Sequence, residues 1–146
     1  MAEEGRTFPR VWFEVSINFI GAQDGQIICE LVATLENKGV VPLKIRDFTF
    51  VLRGLADSDP LERGGPRIRN QLNFPDKLDE GRFVPEDWEY SFVYPGIKTE
   101  YNFVTAIPQH ISFVRMQGDF AYLMNGETHH AAKILKVPDF KLSSPP

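Results

Sequence analysis

The stretch VWFEVSINF, residues 11–19, puts Val11, Phe13, Val15, Ile17 and Phe19 on one parity and Trp12, Glu14, Ser16 and Asn18 on the other. Strict alternation marks a strand buried on one face, because successive side chains of an extended chain point to opposite sides. A helix would need its apolar residues three and four apart. GAQDGQ, residues 21–26, follows as a turn through Gly21, Asp24 and Gly25. IICELVATLE, residues 27–36, then alternates again, with Ile27, Cys29, Leu31, Ala33 and Leu35 facing in. Two adjacent strands joined by a short polar turn predict an antiparallel hairpin.

The same period runs through much of the chain. NKG at 37–39 reads as a turn. In VPLKIRDFTFVLRGL, residues 41–55, the phase slips. Leu43 and Ile45 share one parity, while Phe48, Phe50 and Leu52 share the other. A β-bulge near Arg46–Asp47 absorbs the extra residue, or two short strands switch sheets there. GLADSDPLERGGPR, residues 54–67, reads as a long loop, IRNQLNF at 68–74 as a strand and PDKLDEGR at 75–82 as a loop. WEYSFVY, residues 88–94, is a further expected strand, and EYNFVTAI, residues 100–107, alternates Tyr101, Phe103, Thr105 and Ile107 against Asn102 and Val104. HISFVRMQGDFAYLM, residues 110–124, holds two short strands or one bent at Gly118. Asn125–Gly126 predicts a type I′ hairpin into THHAAKILKV, and the tail from Pro138 is expected to be loosely packed.

These readings predict an all-β fold: a single antiparallel β-sandwich of about eight strands over residues 1–146, with an ordered core at about 10–138 and short polar termini. A small β-barrel is the alternative. The length of 146 residues suits one domain with a core of its own. The net charge of −4 argues against nucleic acid as a partner, since phosphate binding needs a basic excess. One cysteine, Cys29, allows no internal disulfide and fits a cytoplasmic location. The acidic start MAEEGRTFPR predicts no secretory signal, and no apolar run is long enough for a transmembrane segment.

WEYSFVY concentrates Trp88, Tyr90, Phe92 and Tyr94 on one parity, with Glu89 and Ser91 on the other. The reading favoured is a core strand with a polar outside. The other is a stacking surface for a ligand, for which Trp88 at the strand entrance is the best contact. The one basic cluster is Arg63, Arg67 and Arg69 around Gly64–Gly65–Pro66. Guanidinium groups there can pair a carboxylate or phosphate, or simply be solvated. Ile28 and Val32 lie between carboxylates on the outer parity of residues 27–36, and with Trp12 or Val51 would form a modest apolar patch.

Catalytic chemistry finds little support. His129 and His130 are adjacent on a strand and point to opposite faces, and His110 lies elsewhere, so no metal site is expected. Cys29 has the parity of an inert buried thiol, and no motif for a cofactor or a nucleophile is present. The carboxylate pairs Asp79–Glu80 and Glu86–Asp87 read as solvated loop charge. The expectation is a binding module without cofactor that takes a protein partner or forms a homo-oligomer. A small-ligand or glycan module using Trp88 and the arginine loop comes second, and an enzyme with a dispersed site third.

VATLENKGVVPLKIRDFTFVLRG, residues 32–54, and YPGIKTEYNFVTAIP, residues 94–108, each set a turn before a strand and carry a proline. In this they resemble immunoglobulin-like β-sandwich domains of the LEA14/water-stress type. The resemblance implies an immunoglobulin-like fold and a non-enzymatic role, and carries over no functional residue. The long loop at 54–67 and the aromatic density depart from it.

Overall fold

The computed structural model describes residues 10–85, 90–124 and 126–140. They form eight strands: β1 Val11–Gln23, β2 Gln26–Asn37, β3 Leu43–Ala56, β4 Asp76–Arg82, β5 Ser91–Val93, β6 Lys98–Pro108, β7 Ile111–Tyr122 and β8 Thr128–Lys136. A 3-10 turn spans Pro66–Ile68. One sheet has the order β1-β2-β6. The other has the order β4-β3-β7-β8, with β5 following β4 along the same flank of β3. Every strand pairing is antiparallel. Neither sheet closes on itself, so the architecture is a sandwich and not a barrel.

The core lies where the two inner faces meet. Ile27, Cys29, Leu31, Ala33 and Leu35 of β2 are buried, as are Val15 and Ile17 of β1, as the alternation requires. Phe48 sits among four other rings: Phe13 at 5.6 Å, Phe83 at 4.9 Å, Tyr101 at 5.0 Å and Phe120 at 5.6 Å between centroids. Such edge and tilted contacts suit the quadrupole of the rings. Phe50 adds Phe83 and Phe103 to the cluster. Across the sandwich, Gly118 of β7 lies under Phe13 and Val15 of β1, where a Cβ would come within 3.0 Å of both side chains.

The phase slip in β3 is a bulge. The β3–β7 register shifts between Arg46 and Thr49, and Asp47 takes a left-handed φ of 53°. Ile45 before it and Phe48 after it are both buried, so one continuous strand keeps an apolar inner face on both sides of the slip. β7 is likewise continuous through Gly118. A hairpin does join β7 to β8, but the Tyr122 N–H bonds the Glu127 carbonyl at 2.8 Å with four residues between them, so it is not the two-residue type I′ turn expected at 125–126, and Asn125 lies outside the described residues.

Three further expectations are corrected. IRNQLNF is not a strand. Its first residue closes the 3-10 turn, and Arg63 and Leu72 form an isolated bridge that folds residues 62–73 into a small hairpin. PDKLDEGR is strand β4 and not a loop, because Leu78 and Gly81 meet the core edge while Lys77 and Glu80 face water. The tail from Pro138 is not loose throughout, since Phe140 packs against the core.

Candidate interaction surface

The described part of the aromatic run, residues 90–94, does not turn its rings into the core. Trp88 lies outside the described residues, and the described strand is only Ser91–Val93. Val93 is 1% exposed, whereas Phe92 is 41% and Tyr94 54% exposed. Register explains the inversion. Val93 pairs with Leu43 and Ser91 with Ile45, and directly paired residues share a face. Ile45 is inward, so Phe92, opposite exposed Lys44, must point out. Tyr90, Phe92 and Tyr94 do share one side, as their parity predicts. Tyr90 meets Phe92 edge-on at 5.3 Å and 87°, and Phe92 stacks on Tyr94 at 5.5 Å and 18°. Lys44 sets its ammonium 4.9 Å from the Tyr90 ring and 5.5 Å from Phe92.

Other exposed apolar side chains stand at the same end of the sandwich. Val40 and Val41 precede β3, Ile97 precedes β6 and Met124 follows β7, and all four are exposed. Among the described residues β5 pairs only with β3, so the ridge borders a sheet edge of the kind that takes up an added strand. Behind the ridge, the bulge gathers charge. Asp47 stands 3.7 Å from Arg46 Nε and 3.6 Å from Arg82 Nη2. Arg82 Nε is buried with no hydrogen-bond partner among the described residues.

The arginine loop lies elsewhere. It leaves the other end of β3, after Ala56, while β5 pairs with residues 43–45. Twelve strand residues at about 3.3 Å each separate those ends by roughly 40 Å. Arg63, Arg67 and Arg69 are exposed, and Arg63 donates to the Asn70 carbonyl at 3.3 Å. The fold therefore does not bring these arginines to Tyr90, Phe92 and Tyr94. Of the two partners expected for the apolar patch, the fold keeps one. Trp12, half exposed under Lys38, shares the outer face of the three-stranded sheet with Ile28 and Val32, but Val51 is on the other sheet.

Other chemistry is sparse. A cavity of about 260 Å³ opens at the arginine-loop end, lined by Ile27, Asp57, Ile111, Lys136, Val137 and Phe140 among others. That is below the roughly 300–1,000 Å³ of common ligand sites. Nearby, a hydrogen bond with Asp76 holds the Asp59 carboxyl low, and the same bond raises that of Asp76. Among the described residues no group of three or more His, Cys, Asp or Glu is placed to hold a metal ion. On the outer face of β7 and β8, Asp119 contacts His130 Nδ1, and Thr128 Oγ1 lies 3.1 Å from His130 Nε2. Thr128 and His130 are exposed and line neither described cavity, so this array reads as cross-strand pairing. Among the described residues no helix is long and apolar enough to cross a membrane.

No family model matches the chain, and no curated protein matches it. Solved structures do. A Bordetella pertussis crystal structure, provisionally called the ApaA protein, is similar with a TM-score of 0.55 at 15% identity, covering 89% of this chain and 95% of that one. The X-ray structure of a structural-genomics target named SoR45 is similar with a TM-score of 0.50 at 16% identity, over 86% of this chain and 84% of that one. At such identity the likeness shows a shared β-rich fold, and fold alone does not carry function.

Proposed function

We propose that the chain is a non-catalytic β-sandwich module that binds another protein through the aromatic edge of its five-stranded sheet. The observation that carries this reading is the outward stacking of Phe92 and Tyr94 on an edge strand. Aromatic side chains are large and lose little conformational freedom, and they anchor many protein interfaces. Val40, Val41, Ile97 and Met124 add exposed apolar area at the same end of the sandwich. The immunoglobulin-like, water-stress resemblance agrees with a non-enzymatic role and adds no residue to the reading. A cytoplasmic location belongs to the same proposal, motivated only by the single free cysteine.

A glycan or nucleobase platform is the weaker reading for this ridge. Successive sugars or bases stack on ring faces that lie close to one plane. Tyr90 stands at 87° to Phe92, so the ridge is uneven. The arginine loop, at the other end of β3, supplies no charge to it.

Photo-crosslinking in cells tests the proposal. A benzophenone amino acid replaces Tyr94 in one variant and Asn102, on the outer face of the other sheet, in a control. The expected result is a discrete protein adduct from position 94 and none from position 102. An adduct with a second copy would make the function self-association. Equal adducts at both positions, or none at 94, would overturn the reading.

A further inference from the structure

Arg82 ends β4 opposite Thr49, directly beside the β3 bulge. Its Nη2 and the Nε of Arg46 share the single carboxylate of Asp47, at 3.6 and 3.7 Å. Both separations exceed the ~2.7–2.9 Å of a tight charged hydrogen bond. Among the described residues two guanidinium groups share this one carboxylate, and Lys44 adds another cation over the ridge. Arg82 Nε is buried and has no hydrogen-bond partner among the described residues, although buried donors nearly always find an acceptor. Beside it is a cavity of about 10 Å³ lined by Ile45, Arg46, Asp47, Phe48, Arg82 and Tyr90 among others. Such a space takes one oxygen atom and no more.

We infer that the bulge is a carboxylate receptor: an acidic side chain of an extended partner segment enters beside Tyr90 and accepts hydrogen bonds from Arg82 and Arg46, while an apolar side chain of the same segment packs on Phe92 and Tyr94. This rests on the docking reading above and names the chemistry of its partner. The spacing follows from the ridge. Tyr90 lines the cavity, and the Phe92 ring is 5.3 Å from it. Same-side residues of an extended strand are two positions apart, roughly 6.6–6.8 Å. The partner motif is therefore acidic–any–apolar, or its reverse. Lys44, between the two subsites, tolerates no basic residue in the motif.

The test is selection of random octapeptides displayed on phage against the full chain, followed by titration of synthetic winners. Each winner is compared with its isostere carrying Asn for Asp or Gln for Glu. The expected winners hold an acid two residues from an apolar side chain. The amide isostere should bind about tenfold or more weakly, as for loss of a charge-assisted hydrogen bond. In Arg82→Gln the acid and amide peptides should bind alike, while Phe92→Ser should weaken both. Arg46→Gln serves as the second variant if Arg82→Gln does not fold by circular dichroism. Winners that need Phe92 but show less than a twofold acid preference overturn the receptor and leave the docking surface standing. Winners indifferent to Phe92, or no winners, overturn both.

Discussion

Asn37, the last residue of β2, donates from its side-chain amide to the Val93 carbonyl of β5 at 2.8 Å. The same amide donates to the Val41 carbonyl at 2.9 Å, and its oxygen accepts from the Gly39 N–H at 2.9 Å. Asn37 is 1% exposed. One side chain thus closes the 37–41 turn and ties the end of one sheet to the edge strand of the other. β5, with three paired residues, depends on this link for its position.

Asn37→Ala leaves two carbonyls without their donor. Unpaired buried polar groups cost about 1–3 kcal/mol each, so the expected loss is roughly 2–4 kcal/mol. Urea unfolding measures it. Asn37→Asp should be no better, since a carboxylate cannot donate. A loss under about 0.5 kcal/mol would mean that β5 is held without Asn37.

Cys29 is buried in β2, and burial raises its thiol pKa from 9.0 to about 11. The thiolate is the nucleophile, so two pKa units make native Cys29 about a hundredfold less reactive near pH 8 than the unfolded chain. Shielding by the core slows it further. A chromogenic disulfide reagent should therefore report almost no thiol until urea is added. Rapid labelling of the native protein would contradict the inward face of β2.

His129 packs among Phe13, Phe120 and Tyr122, with its Nδ1 2.9 Å from the Tyr122 hydroxyl. Burial lowers its pKa, and the neighbouring His130 lowers it further. The unfolded chain then binds a proton more readily than the fold does. The stability from neutral His129 is present above about pH 6.5 and is lost as pH falls through the depressed folded value. The urea midpoint should fall between pH 7.5 and pH 5, and His129→Gln should flatten that fall. An unchanged slope in the variant would assign the acid sensitivity to other groups.

Sequence pattern resolved the parts of the fold that have one wet and one dry face over many residues. β2 and β6 alternate through whole strands, and β1 does so up to its own register shift at Phe19–Gly21, each putting its odd residues inward. The slip at Arg46–Asp47 was readable because buried residues flank it on both sides. β4 escaped because an edge strand buries little, and its Gly81 yields its space to Phe50. IRNQLNF misled because Ile68 packs locally on Gly64 and not on a sheet. The candidate surface was half visible. The shared side of Tyr90, Phe92 and Tyr94 followed from parity, but parity alone cannot say which side is in. Lys44, Arg46, Asp47 and Arg82 gave one clue, the bulge, which sets charges distant in sequence beside the ridge.

The outward ridge makes neighbouring residues respond in opposite ways. Val93 lies against the core at 1% exposure, opposite Leu43. Val93→Ala removes two buried methyl-sized groups and leaves a void, at a cost of about 2 kcal/mol. Phe92→Ser takes away a much larger side chain that water already reaches. It loses ring contacts with Tyr90 and Tyr94 and the cation above it, which at the exposed lower bound of about 0.5 kcal/mol each are together worth about 1.5 kcal/mol. The smaller deletion should therefore destabilise more. Denaturant midpoints of the two variants decide the matter. If Phe92→Ser is the more damaging, the aromatic run faces inward after all, and the docking surface and its carboxylate receptor fall with it.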